Sequence, residues 1–228
     1  MLAKKKKLSK REIKEDKLVT TYYQALNYFQ ENKNRVGYYV GGLLVVIAAI
    51  YFYMNNKAEN NKQAGIQLSR VIGLYDAGSY LEAIEGRQGT NIVGLKKIVA
   101  EYGSTENGET AKIFLANSYQ MLGNVEEAFK YYEDYSGSNE TFKATALAGE
   151  AGYSAYKGNF EKAADLYLSA SRISKANVLN PDYMLKAAIN YIEAGKKEDA
   201  KDLLEIIRKD YQTSTAFREV DKYLTLVN

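Results

Sequence analysis

A glycine followed five residues later by an alanine occurs four times in this chain. The four segments are DAGSYLEA (Asp76–Ala83), MLGNVEEA (Met121–Ala128), YKGNFEKA (Tyr156–Ala163) and EAGKKEDA (Glu193–Ala200). Their glycines, called here the marker glycines, lie 45, 35 and 37 residues apart. A frame that returns at such distances predicts a repeat architecture, in which each structural unit packs against its neighbours.

Each repeated segment is interpreted as the turn between two antiparallel helices. The glycine ends the first helix because it adopts the left-handed conformation without a clash from a Cβ atom. The alanine lies in the first turns of the second helix, at a crossing where only a methyl group fits. Seven positions before each glycine stands a small or β-branched residue, the expected counterpart on the first helix. These residues are Val71, Ala116, Ala151 and Ala188.

The composition favours an all-α fold. The chain has a single proline and is rich in helix-forming residues, and it lacks the alternating apolar runs of a β-sheet. Two of the glycine intervals are close to the period of tetratricopeptide repeats, which is about 34 residues. We therefore predict a tetratricopeptide-like α-solenoid over residues 55–228, with about four helix pairs and a capping helix.

Three features depart from a regular array, one of which is the extended linker KANVLNP at Lys175–Pro181. The longest interval contains a Gly-rich loop from Gly86 and a predicted short helix over Ile92–Tyr102. The fourth unit has Lys197 where an apolar residue is usual, so we expect this unit to depart most from the repeat pattern. Apolar residues at helical spacing near the C-terminus predict the capping helix. They are Ala216, Phe217, Val220, Leu224 and Val227.

A charge-free segment, VGYYVGGLLVVIAAIYFYM at Val36–Met54, precedes the repeats. At 1.5 Å per residue, a helix of this length spans roughly 28 Å, close to the hydrocarbon thickness of a bilayer. Tyrosine and phenylalanine residues stand near both of its ends, as in the aromatic belts of membrane spans. The segment is too long and begins too late for a cleaved signal peptide. We therefore predict a single transmembrane helix over residues 36–54.

The distribution of charge predicts the orientation of that span. Residues 1–35 hold ten Lys/Arg and four Asp/Glu, whereas residues 55–228 hold 21 Lys/Arg and 24 Asp/Glu. By the positive-inside rule, residues 1–35 form a basic cytoplasmic tail and the repeats lie on the far side, in the periplasm if the membrane is a bacterial inner membrane. An acidic body is a poor partner for nucleic acid, because phosphate contacts need clustered Lys and Arg.

The tail has two parts. The basic run AKKKKLSKR at Ala3–Arg11 is expected to be flexible and attracted to anionic lipid. Apolar residues at helical spacing then predict an amphipathic helix, which either lies on the inner membrane surface or docks a cytoplasmic partner. The sequence leaves both alternatives open. The residues are Leu18, Val19, Tyr22, Leu26 and Phe29.

Small residues within the span form a candidate contact for another membrane helix. Gly37 and Gly41 have the spacing that lets two helix backbones approach closely, and Ala48 continues the same face. The alternative is that glycine is simply common in membrane helices.

Several kinds of chemistry are excluded by composition. The chain has no cysteine and no histidine, so it has no disulfide, cysteine nucleophile, Ser-His-Asp triad or structural zinc site. Acidic pairs such as Glu126–Glu127 fall at the starts of predicted helices, where carboxylates favour the positive helix end. No phosphate-binding glycine motif is present. We expect no catalytic, cofactor-binding or metal-binding residue, and a chain that is not an enzyme.

A stacked helical array offers a groove that suits extended peptides or partner helices. First-helix positions are expected to line this groove, although each could instead serve ordinary packing between helices. The candidate groove residues are Leu68, Ile72, Tyr75, Ile113, Asn117, Gln120, Tyr156, Ile189 and Ile192.

The basic tail, single span and repeats together resemble the YfgM-like family, an ancillary subunit of the bacterial SecYEG translocon. The stretch at Ala25–Tyr53 carries much of the resemblance, with an aromatic pair at Tyr28 and Phe29 and a polar step at Asn32 and Lys33 before the span. The stretch at Ile92–Tyr135 resembles the central repeats of that family in order and spacing. The lysine-rich start departs from it.

The resemblance implies a non-enzymatic adaptor or chaperone-type protein in the bacterial inner membrane. Its expected partners are the SecYEG translocon, a membrane-anchored chaperone of the PpiD type, and unfolded or secreted polypeptides. Two other functions remain open at this point. One is a scaffold or coordinator of another envelope complex, in cell-wall synthesis or division. The other is a signal-anchored receptor on an organelle surface.

Overall fold

The computed structural model describes residues 10–227, without the side chains of residues 10–16 and of Leu18. The basic run predicted at Ala3–Arg11 therefore lies mostly outside the described residues. Within 10–227 the regular structure is helical and no strand occurs, apart from one isolated bridge between Gly86 and Val93. The helices are α1 (Lys10–Glu31), α2 (Lys33–Asp76), α3 (Tyr80–Glu85), α4 (Leu95–Tyr102), α5 (Glu106–Met121), α6 (Val125–Glu133), α7 (Glu140–Tyr156), α8 (Phe160–Arg172), α9 (Asn180–Glu193), α10 (Lys197–Asp210) and α11 (Phe217–Val227).

The chain divides into two units, with the boundary between Asn56 and Lys57. The first unit contains α1 and the N-terminal part of α2. Helix α2 contains a segment that is long and apolar enough to cross a membrane, and none of that segment is buried. It is the only such segment found among the described residues.

The second unit consists of helix pairs joined by short turns. Each turn contains one marker glycine, with φ of +75° at Gly78, +78° at Gly123, +78° at Gly158 and +77° at Gly195. Only glycine adopts this left-handed region at little cost, which explains its recurrence. The pairs formed in this way are α2 with α3, α5 with α6, α7 with α8, and α9 with α10.

The four turns share one hydrogen-bond pattern. In the second turn, Gly123 N donates to Gln120 O at 3.0 Å and Asn124 N donates to Tyr119 O at 2.9 Å. The corresponding pair of bonds occurs at Gly78, Gly158 and Gly195. This is the Schellman motif, which satisfies the last carbonyl groups of the first helix. The glycine in the repeated segment is therefore a helix C-terminal signal, as predicted.

The predicted close crossings are also present. The alanine five residues after each marker glycine is buried, with exposed fractions of 0–2% at Ala83, Ala128, Ala163 and Ala200. The counterparts seven residues before the glycines are fully buried as well. These counterparts are Val71, Ala116, Ala151 and Ala188. A larger side chain at either position would force the two helices apart.

The two irregular parts of the array are helical. Helix α4 fills the longest interval, where it begins at Leu95, three residues later than predicted. Gly94 precedes it and packs so closely that a Cβ there would lie 2.1 Å from Ile84 O. Helix α11 closes the C-terminal end, with Val220 and Leu224 buried against the core formed with α9 and α10. Helix α11 therefore lies where the sequence predicts a capping helix.

Candidate functional site

The structure divides the candidate groove residues into two groups. Leu68 is 7% exposed and Ile113 is 1% exposed, and both belong to hydrophobic cores. The expectation that these two line an open groove was wrong, because their positions, ten residues before a marker glycine, point into the packing between helices. The others keep accessible surface. They are Ile72, Tyr75, Asn117, Gln120, Tyr156, Ile189 and Ile192.

Positions three and six residues before the marker glycines define what we call the first-helix face. Its residues are Ile72, Tyr75, Asn117, Gln120, Gly152, Ala155, Ile189 and Ile192. At its C-terminal part, Ile189 and Ile192 pack against the core around α9 and α10. At its N-terminal part, Tyr75 makes edge-to-face contacts with Tyr80 and with Phe114, with ring centroids 5.6 and 5.0 Å apart.

Two polar residues of this face contact one buried tyrosine of α6, and a third joins the cluster through Asn117. Tyr132 Oη lies 2.6 Å from Asn117 Oδ1 and 2.7 Å from Gln120 Oε1. Asn117 Nδ2 donates to Tyr75 Oη at 3.4 Å. The hydrogen bonds therefore connect α2, α5 and α6 across the boundary between the first two helix pairs. Sequence reasoning identified Tyr75, Asn117 and Gln120 but missed Tyr132.

The proton count constrains the two amides of this cluster. A phenol has one proton, so Tyr132 donates to only one of the two side-chain oxygens that contact it. Turning over either the Gln120 amide or the Asn117 amide places an NH2 group on Tyr132 Oη and pairs the cluster. In both arrangements one end of the Gln120 amide bonds to Tyr132, and the other end of this exposed residue remains for a partner.

Burial keeps these phenols neutral. Burial of the Tyr132 ring raises the pKa of its hydroxyl, and the neighbouring Tyr75, Tyr183 and Tyr167 add smaller increases. The pKa of Tyr75 is also raised by burial, although its hydrogen bond with Asn117 opposes the shift. Both hydroxyl groups therefore retain their protons near neutral pH. The face presents the outer end of the Gln120 amide and the Tyr75 hydroxyl as its hydrogen-bonding groups.

A small cavity opens beside this cluster, between α5, α6 and α7. It has a volume of about 70 Å³ and is lined by Gln120, Val125, Ala128, Phe129, Tyr132, Gly149, Gly152 and Tyr153. Gly152 occupies the position of the face where the other pairs have isoleucine or asparagine. A Cβ at Gly152 would meet only Tyr167 Oη, at 3.4 Å. The missing side chain therefore leaves the cavity open.

An aromatic stack lies next to the cavity. Phe129 and Tyr153 are stacked, with ring centroids 4.2 Å apart, and Tyr153 and Tyr156 are stacked at 6.4 Å. Lys157 Nζ lies 5.2 Å from the Tyr153 centroid and 3.0 Å from Glu126 Oε1. The hydrogen bond from Lys157 lowers the pKa of the Glu126 carboxyl. These groups form an exposed rim with both apolar and charged surface.

A second group of titratable side chains lies in the N-terminal half of α5. Lys112 and Glu109 are buried, with Lys112 Nζ 2.9 Å from Glu109 Oε1 and 2.9 Å from Asp134 Oδ2. Ser136 donates to Glu109 from its backbone N and its Oγ, each at 2.9 Å. Burial lowers the pKa of Lys112, but the hydrogen bonds to Asp134 and Glu109 outweigh this effect and raise it. All of these groups are paired with one another, so the cluster ties α5 to the loop before α7.

The site is suited to binding and not to bond making. Its groups are amides, neutral phenols and aromatic rings, and the chain has no histidine or cysteine. No group of three or more acidic residues that could hold a metal ion is found within residues 10–227. Hydrogen bonds and apolar contacts are what the first-helix face offers a partner.

Comparison with known proteins supports the repeat interpretation. Residues 182–214 match the tetratricopeptide repeat family. The matched segment covers most of α9, all of α10 and the turn between them. No curated protein and no solved structure matches the chain. An all-helical chain with this match fits a protein that contains tetratricopeptide repeats, which are typically non-catalytic protein-interaction modules.

The matched unit is the fourth one, which the sequence analysis expected to depart most from the repeat pattern. That expectation was wrong. Lys197 lies exposed in the first turn of α10, where a polar side chain disturbs no packing. The residues that set the crossing of the two helices, Ala188, Gly195 and Ala200, are all retained.

Proposed function

We propose that this chain is a membrane-anchored, non-enzymatic adaptor that holds extended polypeptides on its first-helix face beside the bacterial Sec translocon. The observation that carries the binding role is the hydrogen-bond cluster around Tyr132. This cluster holds one end of the Gln120 amide and leaves its other end, together with the Tyr75 hydroxyl, on one face. The tetratricopeptide repeat match supports a protein partner.

The ligand expected at this face is the backbone of an extended chain. Backbone groups of the peptide bond to the outer end of the Gln120 amide and to the Tyr75 hydroxyl, so the recognition tolerates many sequences. The cavity at Gly152 accepts a small aliphatic side chain of the same peptide. Unfolded secreted polypeptides present such backbone groups and apolar side chains together.

The membrane anchor in this proposal is the N-terminal part of α2. Its large apolar side chains are exposed, with Leu44 at 61% and Val45 at 69%, and nothing in the described chain covers them. A bilayer would remove this surface from water. The excess of Lys and Arg in residues 1–35 supports a cytoplasmic N-terminus and a periplasmic body.

The proposed location at SecYEG, and the PpiD-type partner, rest on the resemblance of Ala25–Tyr53 and Ile92–Tyr135 to the YfgM-like family. The small-residue face at Gly37, Gly41 and Ala48 is the proposed contact with the membrane part of the translocon. No atom of the described chain lies within 4 Å of the position that a Cβ would take at Gly37 or Gly41. The surface there is open to a partner helix.

Site-specific photo-crosslinking in intact bacteria tests the proposal. A benzophenone amino acid at Gln120 is expected to crosslink secreted polypeptides in transit, while the same probe at Lys130, exposed on α6, is the matched control. A probe at Gly41 is expected to crosslink a SecYEG subunit. Crosslinks at Gly41 to cell-wall or division proteins, with none to secreted chains at Gln120, would favour the envelope-scaffold function.

A fusion after Asn228 tests the orientation separately. A reporter that is active only in the cytoplasm is expected to be silent there, and a periplasmic reporter active. An active cytoplasmic reporter would reverse the proposed topology.

A further inference from the structure

Helix α1 presents an apolar face that nothing in its own unit covers. At 100° per residue, Val19, Tyr22, Tyr23, Leu26 and Phe29 fall within one arc of the helix. Tyr22, Tyr23, Phe29 and Val19 are 53–63% exposed, and Leu26 is half-buried. Gln24, Glu31 and the exposed Tyr28 lie on the other side of the helix, and Gln30 lies within the arc. A helix with four exposed large apolar side chains on one arc is not a fully solvated linker.

The covalent connection to α2 limits what can cover this face. Helix α1 ends at Glu31, α2 begins at Lys33, and the charge-free segment begins at Val36. Phe29 is therefore seven residues before that segment, at most about 10 Å along a helix. If the charge-free segment spans a bilayer, the end of α1 is held at the lipid headgroups.

Asn32 provides a point where the direction of the chain can change. Asn32 lies outside both helices, although Asn32 N still donates to Tyr28 O at 3.0 Å and Asn32 O accepts from Val36 N at 2.9 Å. The Asn32 side chain also donates to Tyr28 O, at 3.1 Å. A side-chain amide that competes for a helix carbonyl is a recognised cause of interruption in a helix.

The charges of residues 1–35 indicate which kind of surface covers the apolar face of α1. Residues 1–35 carry a net charge of +6, and four of the lysines are consecutive at Lys4–Lys7. Clustered lysines beside a membrane span are attracted to anionic headgroups. The aromatic residues of the arc are those that prefer the boundary between headgroups and acyl chains.

We propose that α1 is an interfacial helix, which lies on the anionic phospholipid surface with the arc of Val19, Tyr22, Tyr23, Leu26 and Phe29 facing the lipid. The proposal rests on the proposed membrane span of α2. It assigns the cytoplasmic segment a lipid ligand, where the sequence left open a choice between lipid and a cytoplasmic protein. The turn of α1 along the surface takes place at Asn32.

The chain contains no tryptophan, so a single tryptophan introduced by substitution reports its own environment without fluorescence from other tryptophans. Tyr22→Trp places the reporter on the arc, and Gln24→Trp places it about 160° around the same helix. The full chain is reconstituted in phosphatidylcholine vesicles with or without phosphatidylglycerol. Emission wavelength, quenching by acrylamide and quenching by brominated lipid are measured for both variants.

The expected result is blue-shifted emission, strong bromolipid quenching and weak acrylamide quenching for Tyr22→Trp when phosphatidylglycerol is present, with the opposite for Gln24→Trp. Replacing Lys4–Lys7 by glutamine is expected to reduce the blue shift of Tyr22→Trp. Equal acrylamide quenching of the two variants would overturn the proposal and leave α1 as a docking helix for a cytoplasmic protein. An unchanged shift in pure phosphatidylcholine would overturn the assignment to anionic lipid.

Leu44→Trp, within the apolar part of α2, separates failure of this proposal from failure of the anchor. Bromolipid quenching of Leu44→Trp with none of Tyr22→Trp would contradict the interfacial helix alone. Loss of quenching at both positions would contradict the membrane span itself.

Discussion

The ring of Tyr132 packs directly on the backbone of Gly149, so that a Cβ at Gly149 would lie 2.2 Å from Tyr132 Cδ2. Tyr132 is 3% exposed and cannot move away without leaving the core. Because Gly149 has no side chain, the Tyr132 ring can lie against its backbone, and in this position the Tyr132 hydroxyl contacts Asn117 and Gln120. The position of the proposed binding groups depends on this contact between α6 and α7.

Gly149→Ala is expected to destabilise the protein by about 1–3 kcal/mol, because the new methyl group overpacks a closed contact. The matched control is Gly152→Ala, one turn along the same helix, where the nearest atom is 3.4 Å away. Alanine is the better helix former by about 1 kcal/mol, so the control is expected to be neutral or stabilising. Thermal unfolding of the full chain in mild detergent measures both. Equal effects would show that the Tyr132 contact is loose.

The buried ion pair gives a second prediction with an internal control. Lys112 pairs with Glu109 and Lys130 pairs with Glu127, both three residues apart on a helix, but only the first pair is buried. Lys112→Met leaves a buried carboxylate without its partner and is expected to cost about 3–5 kcal/mol. Lys130→Met is expected to cost less than about 1 kcal/mol, since exposed pairs contribute little. Comparable losses in chemical denaturation would contradict the structural role of the cluster.

The repeated alanines predict a third result. Ala128→Leu and Ala163→Leu each add bulk at a buried helix crossing and are expected to destabilise by roughly 1–3 kcal/mol. Ala58→Leu, on an exposed position of α2, is the control and is expected to change little. Unchanged melting temperatures for both core variants would contradict the interpretation that the alanine after each marker glycine lies at a close helix crossing.

Replacing Glu150 is expected to increase the stability of the protein in a pH-dependent way. Its pKa is raised above the ordinary value of 4.5, first by burial beside a cavity of about 200 Å³ and then by the nearby Glu133. A raised carboxyl pKa means that the ionised form is destabilising in the folded state, and the penalty appears as the pH rises through that pKa. Glu150→Gln is therefore expected to raise the melting temperature at pH 7. The gain should shrink as the pH falls toward 4.5; a gain that is independent of pH would show a packing effect.

Much of the fold follows from local rules that a sequence displays. Each turn needs a glycine at one position, and each close helix crossing needs an alanine at one position. The marker glycines and the alanines after them therefore predict the turns and the crossings. The apolar helix of residues 36–54 follows from length and composition alone. The short helix α4 was predicted with an early start, because the close packing of Gly94 on Ile84 depends on tertiary structure.

The candidate site was less predictable. The spacing of residues assigns them to a face of a helix. Whether a residue of that face is exposed or buried depends on the angle at which the neighbouring helix crosses. For this reason Leu68 and Ile113 were wrongly predicted to line the groove. The role of Tyr132 could have been suspected from its position, since Tyr132 and Tyr167 each follow the alanine of a repeated segment by four residues. Its hydrogen bonds with another helix pair, however, exist only in the assembled fold.

Binding of an unfolded secretory polypeptide to the full chain in mild detergent tests the central claim most directly. Fluorescence anisotropy with a labelled polypeptide compares wild type with Gln120→Ala and with Lys130→Ala, an exposed control on α6. The account predicts that Gln120→Ala weakens binding about tenfold, equivalent to about 1.4 kcal/mol, while Lys130→Ala and the melting temperatures of both variants stay near wild type. Undiminished binding by folded Gln120→Ala would contradict the first-helix face as the polypeptide site.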